Sequence, residues 1–270
     1  VLTPRHTFAV EASIRDSAFT HSGYVALKVK DAVADALRDR RGARPDVDRA
    51  DPDVAVVVHL EGTRCSVSLD ASGGPLHKRG YRVKSVHAPL NETLAAGILL
   101  LAGYDGATPF ADPFCGSGTF LVEAALIATR TPPGLLRRRP FGFQRWPGYD
   151  DRSFQRLVRE AEARITRPAC RIEGSDREKA AVTAATANAA AAAMGAFVRV
   201  RPAPLNAFSA PGDGGVLATN PPYGDHSGAG EDLTALYRQL GDVLKQRCQG
   251  RKAYVLTGDP ALGKQIGLRP

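Results

Sequence analysis

The chain has 270 residues, 43% hydrophobic and 24% charged, with 36 Lys and Arg against 28 Asp and Glu for a net charge of +8. That composition is globular, with room for one large α/β domain plus a smaller one, and its positive balance suits a polyanionic partner. The longest nearly uncharged apolar stretch, Leu94 to Tyr104, is only about half of a membrane span, so no membrane association is expected. Arg5, His6 and Glu11 interrupt any secretory leader. Cys65, Cys115, Cys170 and Cys248 are far apart and form no metal-ligand pair, which predicts reduced thiols in a cytoplasmic protein without a structural metal.

In residues 1–80, Val25, Val29, Val33 and Leu37 recur in four-residue steps and predict a helix over Tyr24–Arg40. Strands are predicted at Val54–Leu60 and Cys65–Asp70, with Glu61-Gly62-Thr63-Arg64 as the hairpin between them, and Gly73-Gly74-Pro75 closes the module. Residues 81–104 form a connector and a helix, with Asn91 as its N-cap. Through 105–270, strand candidates end at Asp112, Ser175, Arg201, Asn220 and Thr257, and helices follow most of them. This alternation predicts an α/β fold with a doubly wound parallel sheet. Residues 130–168 interrupt it with an insertion rich in Pro, Arg and aromatics, within which Asp151–Ile165 is predicted helical. The Ala-rich stretch 180–193 predicts a buried helix, since Ala is the best helix former.

Three motifs carry chemistry. The first, Asp112-Pro113-Phe114-Cys115-Gly116-Ser117-Gly118-Thr119, lies between an apolar strand and an apolar helix. A glycine-rich turn there brings backbone amides close to a ligand. The acid at the strand end would repel a pyrophosphate and attract the cationic amine of a methionine moiety, so Asp112, Phe114, Gly116, Ser117, Gly118 and Thr119 are read as donor-site residues. The second is Gly174-Ser175-Asp176, where Asp176 can accept both ribose hydroxyls from the end of the second strand. Glu173 alternates away and reads as a surface charge. The third is Asn220-Pro221-Pro222-Tyr223-Gly224. Two prolines withhold amide donors and leave carbonyls free to accept. The Asn220 oxygen and a proline carbonyl could therefore hold one NH2 group with its lone pair toward a methyl donor, while Tyr223 stacks the base. Adenine N6, cytosine N4 and guanine N2 all satisfy this motif. Cys115 has nothing beside it in sequence to lower its pKa and reads as a packing residue.

Basic clusters occur at Arg38–Arg44, Lys78–Lys84, Arg137-Arg138-Arg139 and Lys245–Lys252. Phe141, Phe143, Trp146 and Tyr149 accompany only the third, which makes Arg137, Arg138 and Arg139 candidates for an RNA-contacting flap.

With these residues placed, the chain resembles the bacterial THUMP-domain methyltransferases that modify guanine N2 in large-subunit ribosomal RNA. The likeness rests on Lys78-Arg79-Gly80-Tyr81-Arg82, Ala88 through Ala96, Asp112 through Thr119, Gly174-Ser175-Asp176, Pro133-Gly134, Phe143 to Pro147, Asn220 to Gly224, and Leu236-Tyr237 through Gly241. It implies a partial N-terminal THUMP α+β domain over 1–80 for RNA docking and a class I, Rossmann-like methyltransferase domain over 105–270. It further implies S-adenosylmethionine as donor, held by Asp112, Gly116, Gly118 and Asp176, and a base held by Asn220 to Tyr223. The resemblance expects an acid after the third strand. Arg201-Pro202-Ala203-Pro204-Leu205-Asn206 stands there, so Asn206 takes that role. It also expects a segment before residue 1 and a closing hairpin after Pro270. Two rivals stay open: an adenine-N6 methyltransferase acting on DNA, and a non-catalytic RNA-binding factor that retains the fold.

Overall fold

A computed structural model describes residues 2–86, 88–224 and 232–269. The chain divides into two compact units, one formed by Val1–Leu76 with Arg138–Leu157, the other by His77–Arg137 with Val158–Pro270.

In the first unit, β1 (Thr7–Arg15), α1 (Ser22–Arg41), β2 (Asp46–Val47), β3 (Val54–Glu61) and β4 (Arg64–Leu69) build a sheet of order β2-β1-β3-β4 with α1 against β1. Strands β2 and β3 run parallel to β1, and β4 returns antiparallel along β3 through Gly62-Thr63. Helix α1 stops at Gly42, whose φ of 78° is a glycine conformation and whose N–H closes onto the Arg38 carbonyl. The strand β1 is absent from the sequence reading, although Phe8, Val10, Ala12 and Ile14 alternate and all reach the core around Val54, Val56 and Val58.

The segment Arg138–Leu157 joins this first unit, whereas the sequence reading kept it inside 105–270. Long-range contacts decide its place. The Arg145 guanidinium donates to the Asp51 carboxylate at 2.9 Å and to the Asp51 and Pro52 carbonyls. Trp146 packs on the core of the unit. Gly142 and Gly73 pass so close that a Cβ on Gly142 would stand 2.6 Å from the Asp70 carbonyl oxygen.

The second unit holds β5 (Phe110–Asp112), β6 (Ile172–Asp176), β7 (Val198–Pro202), β8 (Val216–Thr219) and β9 (Lys252–Val255) in the order β7-β6-β5-β8-β9, all parallel. Its helices are α2 (Glu92–Leu101), α3 (Thr119–Ala128), α5 (Lys179–Ala191), α6 (Leu233–Arg247) and α7 (Pro260–Gln265), while α4 (Asp151–Glu162) begins in the first unit and ends in this one. Strand ends fall within two residues of the sequence expectation. Asn91 caps α2 as expected, its side-chain oxygen accepting from the Thr93 and Leu94 amides. Strand order reverses between β5 and β8, and in such sheets a ligand crevice opens at the carboxyl ends there. Helix α3 is almost wholly buried on the sheet, and Gly174 permits that approach: a Cβ there would stand 2.5 Å from Leu121.

In the basic run Lys78–Lys84 the two lysines are exposed and the two arginines turn into the fold. Arg79 is buried and donates through Nε and Nη2 to both Glu123 carboxylate oxygens, at 3.1 and 3.2 Å, and the Tyr81 hydroxyl adds a third bond at 3.0 Å. Burial pushes the Glu123 carboxyl up, against the pull of Arg79.

Candidate functional site

A cavity of about 670 Å3 opens at the carboxyl ends of β5, β6 and β8. Among its lining residues are Asp112, Phe114, Cys115, Gly116, Ser117, Thr119, Asp176, Asn220, Pro221, Pro222 and Tyr223, so residues more than a hundred positions apart in sequence meet there. Ser85, Val86, Ala88, Pro89 and Leu90 supply one wall, and Ala88 adopts a φ of 48°. Of the residues read as a donor site, Gly118 lies behind the turn: its φ is 81°, and a Cβ would meet Ala185 at 2.9 Å. Asn206 is exposed and lines a separate cavity of about 140 Å3 that shares Phe114, Arg177 and Leu236 with the large one. Arg137, Arg138 and Arg139 line neither.

The turn is held by its own side chains. Asp112 is buried, and its Oδ1 accepts from the Thr219 hydroxyl at 2.6 Å and the Phe114 amide at 3.0 Å. Burial pushes its carboxyl up to about 7, with the two hydrogen bonds opposing. Asp176 accepts from the Gly116 amide through Oδ2 at 3.0 Å and from the Glu178 amide through Oδ1 at 2.9 Å, which ties the second strand end to the turn. Desolvation lifts the Cys115 thiol far above the ordinary range, consistent with a packing residue and not a nucleophile.

Two further residues escaped the sequence reading. Arg82 donates to Glu92, Leu90, Ser117 and Thr119: Nε to the carboxylate at 3.0 Å, Nη1 to the Ser117 hydroxyl at 2.9 Å, and Nη2 to the Leu90 carbonyl at 2.8 Å and the Thr119 hydroxyl at 3.1 Å. Both hydroxyls of the turn are thereby engaged by the protein itself. Asn188, fully buried on α5, accepts from the Val83 and Lys84 amides and donates to the Lys84 and Ser117 carbonyls. Neither residue carries a local signal, because its partners lie in other elements.

The Asn220 side of the cavity is different. Asn220 Oδ1 is buried with no hydrogen-bond partner among the described residues. A buried acceptor left unpaired costs about 1–3 kcal/mol, so it marks a place where a donor belongs. Pro221 and Pro222 follow and carry no backbone N–H, and Tyr223 lines the cavity beside them. The combination is a concave pocket with carboxylates on one side and a lone amide acceptor next to an aromatic face on the other, which suits a cationic ligand meeting a planar amine.

The aromatics near Arg137 to Arg139 are half-buried and pack on one another. Phe141 stacks on Phe143 with centroids 5.4 Å apart, Phe154 and Tyr149 close the cluster, and Trp146 packs into the core of its unit. Among the described residues no cluster of three or more His, Cys, Asp or Glu could hold a metal ion, and no helix is long and apolar enough to cross a membrane.

Comparison with known proteins adds to this geometry. A family model for the RMKL-like methyltransferase domain matches residues 79–270, and one for the THUMP domain matches residues 1–70. The chain is 43% identical over 281 aligned residues to the ribosomal RNA large subunit methyltransferase K/L of Syntrophotalea carbinolica, covering 99% of the chain and 39% of that relative. It is 40% identical to the "Putative RNA methyltransferase slr0064" of Synechocystis sp., covering 99% of the chain and 70% of that protein. A crystal structure described as "a putative methyltransferase complexed with SAH" superposes with a TM-score of 0.86 at 27% identity, over 99% of the chain and 70% of its own.

Proposed function

The chain belongs to the RMKL-like methyltransferase domain family, and from that premise we propose that it transfers a methyl group from S-adenosylmethionine to an exocyclic base amine of RNA, guanine N2 in large-subunit ribosomal RNA. The observation that carries the reading is the buried Asn220 Oδ1 at the pocket wall, unpaired among the described residues and able to accept from an incoming N–H.

The residues present fit this donor. Each Asp176 oxygen accepts one backbone amide and keeps a lone pair for a ribose hydroxyl. Asp112 would face the methionine amine, with Phe114, Gly116, Ser117, Gly118 and Thr119 shaping the turn around the donor. The adjoining smaller cavity with Asn206 is assigned to the adenine end. On the acceptor side, Asn220 and a proline carbonyl take the two N–H groups of the amine, Pro221 and Pro222 fix the backbone, and Tyr223 stacks the base. The amine nitrogen then attacks the methyl carbon in line, the carbon–sulfur bond breaks with its electron pair going to sulfur, and the proton leaves to solvent. Positioning and hydrogen bonds that build electron density on nitrogen supply the rate, without a strong base.

Support for RNA comes from the THUMP match over residues 1–70 and from RNA methyltransferases among the relatives, the first of which is spanned only over 39% of its length. Arg137, Arg138 and Arg139 are assigned to phosphate contact, and a cytoplasmic location goes with an RNA substrate and unpaired cysteines. Incubation of the purified protein with labelled donor and separate pools of under-modified ribosomal RNA, transfer RNA and DNA tests the reading. Label should enter ribosomal RNA, and label confined to DNA would replace it with the adenine-N6 alternative.

A further inference from the structure

Behind the ring of Tyr223 lies Gly258, in the loop between β9 and α7. Its φ is not positive, so the backbone places no demand for glycine there. The demand comes from the ring. A Cβ on Gly258 would stand 2.7 Å from Tyr223 Cε2 and 3.0 Å from Cδ2, nearer than side-chain carbons approach.

Hydrogen bonds tether the loop on both sides of the glycine. The buried Tyr237 donates its hydroxyl to Thr257 Oγ1 at 3.0 Å, and the Asp259 amide donates to the same oxygen at 3.2 Å. Asp259 Oδ1 in turn caps α7 by accepting from the Ala261 and Leu262 amides at 2.7 and 3.3 Å. The Tyr237 bond and the α7 cap thus hold the residues on either side of Gly258, and Thr257 Oγ1 ties the two to each other. Any side chain there must move the ring, and the ring lines the cavity beside Asn220.

We propose that Gly258 is a positioning residue for the methyl-transfer reaction: its bare Cα is the floor that sets how far the Tyr223 ring projects toward the base, so the width of the base slot is determined from the loop after β9 and not only from the Asn220 motif. The inference rests on the reading of Tyr223 as the base-stacking residue. Gly258 touches neither substrate, and it acts through Tyr223 alone.

The test is a double-mutant cycle on the full chain with S-adenosylmethionine and under-modified large-subunit ribosomal RNA. Gly258→Ala should lower kcat/KM for RNA by up to about a hundredfold, the scale of an ångström-sized misplacement, and leave the donor dissociation constant within twofold. In a Tyr223→Ala background the same substitution should change kcat/KM by less than twofold, because the ring it displaces is gone. A merely structural role for Gly258 would instead give the same loss in both backgrounds, with lowered thermal stability, and would overturn the proposal. So would a Gly258→Ala enzyme with wild-type RNA kinetics beside a damaged Tyr223→Ala enzyme, which leaves the stacking role intact. If Tyr223→Ala itself has wild-type kinetics, the stacking role and this inference fall together.

Discussion

The two walls of the pocket are built on opposite principles. On the turn side, the polar groups that line the cavity are matched by the protein, while Ser175 Oγ, buried behind Asp176, is not: Asp112 pairs with Thr219 and Phe114, Asp176 with Gly116 and Glu178, the Ser117 and Thr119 hydroxyls with Arg82, and the Ser117 carbonyl with Asn188. On the Asn220 side a buried acceptor stands alone among the described residues. Internal bonds on the first wall fix its shape before a ligand arrives and lower the ordering cost of binding. The open acceptor on the second wall has its full hydrogen-bonding capacity available for the group that reacts. A cofactor site gains from rigidity, and an acceptor site gains from an unmet bond that only the correct amine satisfies.

If that division is right, substitutions on the two walls should separate binding from turnover. The largest effect belongs to Asn220→Ala, which should lower kcat by about 10²- to 10³-fold, the range for removing one preorganised hydrogen-bonding group, with donor affinity within twofold in calorimetry. Next comes Asp176→Ala, which strips the turn of its Gly116 anchor and removes the proposed ribose acceptor. Donor binding should weaken by about 2–3 kcal/mol, read by the same titration.

Asn188→Ala sharpens the comparison from the structural side, since it leaves the Val83 and Lys84 amides and the Ser117 carbonyl unpaired. A loss of about 1–3 kcal/mol in stability is expected, seen as a lower denaturant midpoint at an unchanged slope. The smallest effect is the pH dependence of Asp112, whose carboxyl burial holds up at about 7 against an ordinary 3.8. The folded state holds this proton more tightly than the unfolded chain does, so its contribution to stability falls as pH climbs from 3.8 to about 7. A cationic amine favours the carboxylate, so donor affinity should rise by less than about tenfold per pH unit through neutrality, with proton release visible as buffer-dependent binding heats. Flat affinity between pH 6 and 8 would remove Asp112 from the donor contact.

The contrast between walls also explains what the sequence could show. The turn Asp112 to Thr119 and the run Asn220 to Tyr223 are contiguous, and strand-to-helix junctions place them at the sheet's carboxyl edge, so both were legible. Arg82 and Asn188 were not: one sits in a run that reads as a surface charge cluster, the other in an Ala-rich helix, and their partners lie up to 105 residues away. The same physics hid the first-unit membership of Arg138–Leu157, decided by Arg145 with Asp51 and by two glycines in contact. Strand β1 is a different omission, because the alternation of Phe8, Val10, Ala12 and Ile14 was present to be read. Gly258 has no local signal at all, since its reason is the Tyr223 ring, far upstream in the sequence.

The central claim, an RNA base amine as acceptor, is tested most directly by nucleoside mass spectrometry of under-modified large-subunit ribosomal RNA treated with the protein and isotopically labelled donor. The account predicts labelled N2-methylguanosine that disappears with Asn220→Ala. Labelled N6-methyladenine in a DNA pool, with no label in RNA nucleosides, would contradict it.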